Sequence, residues 1–442
     1  MSILSVMVIT FLFMSELFAF LSTDLVTSVA LDVNDASVVR LNFNVTFLDL
    51  HCDYVSVDVL DELGTNRQNI TKNVEKWQID EDGKKRVFAG RNKDVREVKH
   101  DVHEKTLEQM HEDGVHATVV DLTTFDDFVK TKDLAFLNFY APWCVWCQRL
   151  HPTWESFAED VETKKMPIAV GQVDCVANAN LCQTQKIQAF PTLRWFSKGE
   201  AVLPDYKGDR TVAALTQFSS RKIDLDDKYK GWEEKAAAKG GIAAGVAAAA
   251  KPPSQGRPDH PGCQVSGYLL VNRVPGNFHI EANSVNHNLN AAMTNLSHVV
   301  NHVSFGDPSV KIPRKVSKLI DSVPPTNRQF EPMNGYSYVN KDAHRAHHHY
   351  MKIVSTHFKA GRTSAVKYQF IEQSQEVKYA EDEVPEARFS YDLSPMSVTI
   401  SRSPRKSWYD FLTSCLAIVG GTFTTMSMID GALYKMFKTK KL

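Results

Sequence analysis

The sequence predicts a multi-domain membrane protein in which an α/β unit is inserted into an all-β unit, with an apolar helix at each end. Three observations lead there. Apolar runs close both ends of the chain, residues 117–222 alternate strand and helix patterns, and the flanking residues alternate apolar and polar side chains with a period of two. At 442 residues the chain has room for two to four domains. An apolar content of 43% with 23% charged residues is ordinary globular composition, which excludes a fibre or wholesale disorder. Fifty-one Lys and Arg against 52 Asp and Glu give no basic excess, so a nucleic-acid partner is not expected.

Residues 3–21 contain Glu16 as their only ionisable side chain, and residues 411–429 contain none. Each run, at 1.5 Å per residue, covers close to the ~30 Å hydrocarbon core. Trp408, Tyr409 and Tyr434 flank the second as interfacial anchors. A cleaved signal peptide competes for the first run, but it lacks a basic region ahead of the apolar stretch. The expected spans are therefore residues 1–23 and 408–434. Asn44-Val-Thr46, Asn69-Ile-Thr71 and Asn295-Leu-Ser297 are glycosylation acceptors between them and favour a lumenal middle. Lys435, Lys438, Lys440 and Lys441 then form a cytosolic basic tail over 435–442, although Arg402, Arg405 and Lys406 lie on the other side.

Between the spans, residues 24–116 read as the first half of a β domain followed by a charged, irregular connector over 76–116. Val38-Val39-Arg40-Leu41-Asn42-Phe43-Asn44-Val45 shows the alternation that predicts strands. Residues 117–225 form the α/β unit, and 226–260 are an Ala-, Gly- and Pro-rich linker with a partly helical Ala stretch. Strand patterns return over 261–407, the second half of the β domain, as in Gly267-Tyr268-Leu269-Leu270-Val271-Asn272.

The strongest chemical signal is Phe139-Tyr-Ala-Pro-Trp143-Cys144-Val-Trp-Cys147. A buried strand runs into a helix whose inner face carries Cys147, Leu150, Trp154, Phe157 and Val161. Cys144 then sits at the helix N-terminus, where unpaired N–H groups favour the thiolate that thiol–disulfide exchange requires. Cys147, one turn on and expected to be the more buried, is spaced to resolve a mixed disulfide. A cis proline at Phe190-Pro191-Thr192 would present backbone beside this pair for strand-like pairing with a substrate peptide. Two readings compete: a zinc site made with Cys175 and Cys182, for which six intervening residues are a poor half-site, and a structural Cys144–Cys147 bridge.

These residues resemble the thioredoxin-fold domain of the protein disulfide isomerase family, through the Cys-x-x-Cys run, Leu150-x-Pro152-x-Trp154, Val173-Asp174-Cys175 and Phe190-Pro191-Thr192. The resemblance implies that Cys144 attacks, Cys147 resolves, Pro191 is cis, and Trp143, Phe190, Pro191 and Thr192 bind substrate. It also implies a local Cys175–Cys182 disulfide. Three departures imply weaker oxidation: Val145-Trp146 replaces Gly-His, Asn138 stands where a buried acid is usual, and Gln148 stands where Lys is frequent.

Cys263-Gln-Val-Ser-Gly-Tyr-Leu-Leu-Val-Asn272, Gly276-Asn-Phe-His279, Phe389-Ser-Tyr391-Asp-Leu-Ser394-Pro395 and Ile418-Val-Gly420-Gly421 resemble the endoplasmic reticulum vesicle transporter family. That resemblance implies a two-span protein of the ER and the ER–Golgi intermediate compartment with a lumenal β-sandwich, often working in hetero-complexes. It also implies cytosolic residues ahead of the first span, where only Met1 and Ser2 stand. With the other pairs assigned, Cys52 and Cys263 remain by elimination to join the two β halves; Cys415 lies within a span. His344, His347, His348, His349 and His357 form a His-rich patch without paired carboxylates, so no metal or other cofactor is expected. Lys438 and Lys440 resemble a dilysine retrieval signal read by vesicle coat proteins.

The combined expectation is a disulfide isomerase or thiol–disulfide oxidoreductase acting on cysteine-containing clients. The alternative is a cargo receptor that uses the same fold to hold clients with little catalysis.

Overall fold

The computed structural model describes residues 3–32, 36–61, 72–79, 86–92, 96–102, 116–131, 133–238, 262–342, 344–380 and 383–438. Asn69, Lys440 and the linker residues 239–260 lie outside these.

The first half comprises α1 (Ile3–Leu21), β1 (Thr23–Leu31), β2 (Val38–Phe47), β3 (Val55–Asp61), β4 (Val74–Ile79) and β5 (Arg86–Arg91). The α/β unit follows: β6 (Thr118–Val119), α2 (Phe125–Thr131), β7 (Leu134–Tyr140), α3 (Val145–Thr163), β8 (Ala169–Asp174), α4 (Ala179–Thr184), β9 (Ala189–Phe190), β10 (Thr192–Ser197), β11 (Glu200–Val202) and α5 (Val212–Ala238). The chain then returns through β12 (Cys263–Asn272), β13 (Gly276–Ala282), β14 (Asn288–Leu289), β15 (His298–Phe305), α6 (Arg314–Ser322), β16 (Tyr336–Tyr338), β17 (Arg345–Ala360), β18 (Thr363–Lys378) and β19 (Glu386–Pro404) to α7 (Trp408–Lys438).

The β halves interleave into two sheets. One has the order β18-β17-β19-β13-β3, with β1 on the far part of β19; the other runs β16-β15-β2-β12-β4-β5. β2 shows why. Its alternate residues Val39, Leu41, Phe43, Val45 and Phe47 are buried, and it needs β12 and β15 on its two edges. Phe43 meets Phe278 of the facing sheet at 5.4 Å, and Phe278 stacks on Phe389 at 4.7 Å. Each such ring contributes roughly 2–3 kcal/mol by burial alone. Cys52 is bonded to Cys263, joining the halves across 211 residues of sequence.

Two boundaries differ from the sequence reading. The stretch from residue 76 is not wholly irregular, because β4 and β5 pair as a hairpin with Trp77 against Phe88. The pattern is masked because the buried face of β4 itself carries Lys76, which donates to the Val55 carbonyl, and Gln78, while Trp77 and Phe88 pair on the more exposed face. The α/β unit also does not stop at residue 225, since α5 continues to Ala238 on Lys, Glu and Ala residues of high helix propensity.

Within the α/β unit the sheet order is β11-β10-β7-β8-β6. β7 is buried on both faces: Ala135, Leu137 and Phe139 pack with Phe125 and Val129 of α2, and Phe136 packs with Trp154 and Phe157 of α3. A continuous apolar run is what such a strand requires.

α7 contains a stretch, Trp408–Met436, long and apolar enough to cross a membrane; the apolar part of α1, Val6–Leu21, is shorter. The two helices leave the same end of the β1–β19 pair, with Phe20 stacked on Phe411 at 4.6 Å and Glu16 paired to Lys406.

Strand alternation divides the His-rich patch. His349 points into the core, meeting His298 at 3.1 Å and Glu372 at 3.0 Å, while His348 on the opposite face meets the Tyr379 hydroxyl at 2.8 Å.

Candidate redox site

β7 delivers Ala141, Pro142 and Trp143 into a turn, and Cys144 caps the N-terminus of α3. The Cys147 N–H donates to the Cys144 sulphur at 3.1 Å, satisfying one of the donors every helix start leaves open. Behind the cysteines, Leu150, Trp154, Phe157 and Val161 form the buried face of α3, anchored by the Trp154 indole N–H on the Gly171 carbonyl at 3.2 Å. Glu155 on the same helix is also buried. It accepts from the N–H groups of His116 and Ala117 and from the Gln172 amide, tying the entry of the α/β unit to α3.

The Phe190–Pro191 bond is cis, and the Cys144 thiol reaches the Phe190 carbonyl at 3.5 Å. Cys144 and Cys147 both carry thiols, whereas Cys175 is bonded to Cys182. The four sulphurs are thus not gathered as a zinc set. A hydrogen bond from the Cys147 thiol and backbone N–H groups of Cys147, Trp146 and Asn288 hold the Cys144 thiol below its ordinary range, against its burial. Burial and the same bond push Cys147 far up, so it keeps its proton.

Both cysteines are buried, Cys144 at 0% and Cys147 at 3% exposed, because the β domain lies over the turn. Among the expected substrate-binding residues Trp143 is 54% exposed, its ring edge-on to Phe190 at 6.0 Å, while Phe190, Pro191 and Thr192 are buried. Asn44 is half-buried in mid-sheet, its side-chain carbonyl taken by Gln264 and Asn301. Asn295 is half-buried at a turn, accepting from Ser297 at 2.9 Å. Lys438 ends α7.

Sequence reasoning did not single out Arg210, His100 or Asn288. Arg210, two residues before α5 and bridged to His100, is 4% exposed; burial draws it down to about 10, so it stays cationic and favours anionic sulphur at both cysteines. His100 stacks on Trp146 at 5.8 Å, and the Arg149 guanidinium lies 4.9 Å from the centroid of the same Trp146 ring. The bulky residue between the cysteines therefore packs against His100 and Arg149, and the positive charge near the sulphurs comes from Arg210 rather than an intervening His. Asn288 lies 144 residues downstream of Cys144, where no local pattern could point to it. A cavity of about 390 Å³ opens beside Pro191 between the two units, lined among others by Tyr54, Arg210 and His287.

Elsewhere, His279, Glu281 and Glu386 bring ligand atoms within 4.8 Å of one another on β13 and β19. Arg388 already holds Glu386, which makes this an ion-paired sheet face rather than an open cation site.

Sequence families divide the chain as its strands do. Residues 1–68 match the Endoplasmic Reticulum-Golgi Intermediate Compartment family, 116–221 the thioredoxin family, and 247–430 the endoplasmic reticulum vesicle transporter family. Protein disulfide-isomerase 5-4 of Arabidopsis thaliana is 32% identical over 459 residues, spanning 98% of this chain and 91% of its own length. The chain belongs to this protein disulfide-isomerase family. Protein disulfide-isomerase 5-3 of the same plant is 30% identical over 474 residues, spanning 100% of this chain and 92% of its own. The crystal structure of Erv41p superposes with a TM-score of 0.33 at 14% identity, covering 85% of this chain and 99% of that one. Membership brings together a thioredoxin domain, an all-β vesicle-transporter domain and an ER–Golgi membrane location.

Proposed function

We propose that the chain is a thiol–disulfide oxidoreductase of the early secretory pathway that acts on cysteine-containing client proteins through Cys144 and Cys147 while cycling between ER and Golgi. The observation that carries this reading is the Cys144 sulphur at a helix N-terminus, beside a cis Phe190–Pro191 bond and near buried Arg210. The Cys144 thiolate attacks one sulphur of a client disulfide, and the other client sulphur leaves as a thiolate. Cys147 then loses its proton and attacks Cys144 sulphur, so the client is reduced and the pair oxidised; oxidation of a client dithiol runs the same steps backwards. Trp143, Phe190, Pro191 and Thr192 form the client groove. Asn138 beneath it is buried with its side-chain carbonyl unpartnered among the described residues, and an amide cannot take the Cys147 proton. Resolution is therefore slow.

The wider reading has residues 24–407 lumenal between two spans, 1–23 and 408–434, with the redox unit running from 117 to the end of α5 at Ala238. The side-by-side exit of α1 and α7 supports the two spans. Asn44, Asn69 and Asn295 are the proposed glycan sites, and Lys438 and Lys440 the retrieval signal for coat proteins. Leu25, Val29 and Leu31 stand exposed on β1, which supports a hetero-oligomer with related membrane proteins.

The test is Cys147→Ala in cells, read by non-reducing electrophoresis. Accumulated mixed disulfides that disappear in Cys144→Ser support exchange. A second reading, the cargo receptor, is favoured by the complete burial of Cys144; it is supported instead if clients travel normally with Cys147→Ala and no mixed disulfide forms.

A further inference from the structure

The edge that precedes the cis proline already carries a strand. β14 pairs antiparallel with β9, Asn288 opposite Phe190 and Leu289 opposite Ala189, and the Asn290 N–H donates to the Gln188 carbonyl at 2.9 Å. The Asn288 side-chain carbonyl stands 3.8 Å from the Cys144 sulphur. A peptide segment of the β domain thus lies where an extended client would add, with a side chain on the reacting atom.

Polar contacts hold this cover in place from three directions. Gln188 bridges to the Asp49 carbonyl and accepts from the His51 N–H, Lys207 pairs with Asp53, and Asn286 accepts from Val98 N–H while donating to the Arg96 carbonyl. The apolar cores do not merge across the contact: Leu289 packs on the sandwich core, and Cys144 and Phe190 belong to a cluster confined to the α/β unit. A two-residue ladder with polar clamps can part without unfolding either unit.

We propose that Asn288–Leu289 is a built-in occupant of the client groove that selects clients by strand addition: a client reaches Cys144 only if the chain flanking its cysteine is extended and replaces these backbone bonds. Reagents lacking a peptide backbone react with Cys144 only slowly, and folded clients with buried cysteines are passed over. The inference rests on the reading of Cys144 as the attacking sulphur.

The test uses the full chain in detergent and measures the rate of Cys144 alkylation by iodoacetamide across pH, with mass spectrometry locating the label. Asn290→Pro removes the donor to Gln188, and Gln188→Ala removes the clamp to Asp49 and His51 without altering β14. The expected result is at least tenfold faster alkylation in Asn290→Pro and severalfold in Gln188→Ala. The pH profile of Asn290→Pro also moves upward, because the Asn288 N–H leaves the sulphur. An intact Cys52–Cys263 bridge and a cooperative melt certify folding; if Asn290→Pro fails that check, Gln188→Ala decides. Wild-type alkylation rates in folded variants would overturn the proposal, whatever their exchange activity. Faster alkylation with no exchange on a peptide disulfide would uphold the cover and remove the oxidoreductase reading instead.

Discussion

Glu155→Ala is the substitution whose cost the structure defines most fully. The Glu155 side chain accepts from Ala117 N–H at 3.0 Å, His116 N–H at 3.0 Å and the Gln172 amide at 3.2 Å. Ala117 and Gln172 are buried, so neither donor finds water when the carboxyl is removed. His116 is half-buried and can recover a water. Two stranded donors at about 1–3 kcal/mol each give about 2–6 kcal/mol, with a central value of about 4. That is a large share of the 5–15 kcal/mol typical of a whole domain. Urea unfolding followed by tryptophan fluorescence would report it, since Trp154 lies one residue away on the same buried face. Glu155→Gln keeps an acceptor oxygen and is expected to cost about half as much. A loss below about 1 kcal/mol for Glu155→Ala would refute the assignment of this carboxyl as the tie between the domain entry and α3.

In the wild-type chain, alkylation of Cys144 should rise with pH through an apparent pKa below the ordinary thiol value of about 8.5, while Cys147 stays unlabelled past it; a shared profile would contradict the asymmetry. Asn138→Glu supplies a proton acceptor in the buried strand and should speed release of mixed disulfides by about 10²-fold in single-turnover assays, at some loss of stability from burying a carboxyl. His298 is fully buried and drawn down to about 3 by burial and by His349, against an unfolded value near 6.5. Its folded pKa is depressed, so the unfolded chain takes up the proton first as pH falls, and β-domain stability declines below about pH 6.5 by up to about 1.4 kcal/mol per pH unit. His298→Phe should flatten that decline in denaturation measured from pH 7 to 5.

Much of this was legible because the chemistry is local. The strand–turn–helix that presents Cys144 is written in residues 134–161, and strand periodicity in β2 and β12 marks the sandwich core. What escaped is what depends on contacts between units. Cys144 looks more exposed than Cys147 from helix position alone, and nothing within the α/β unit says that Asn288 covers it. Trp146 reads as a lost charge until His100 is found against its ring. β4 and β5 were hidden because Lys76 and Gln78 occupy buried positions, satisfied by the Val55 and Gly262 carbonyls, so no apolar alternation marks the strand.

The interleaving of the sandwich sets an order on biosynthesis. Cys263 and the strand it begins emerge 211 residues after Cys52, which at ~5–20 residues per second is roughly 10–40 s. Through that interval β2 has neither of its neighbours, whereas the whole sheet of the redox unit, from β6 to β11, has already left the ribosome. Its cysteine pair is uncovered at that stage, since Asn288 has yet to be made. A nascent chain thus carries an open thiol site beside its own unpaired Cys52, and completing the second half of the sandwich is the event that closes it.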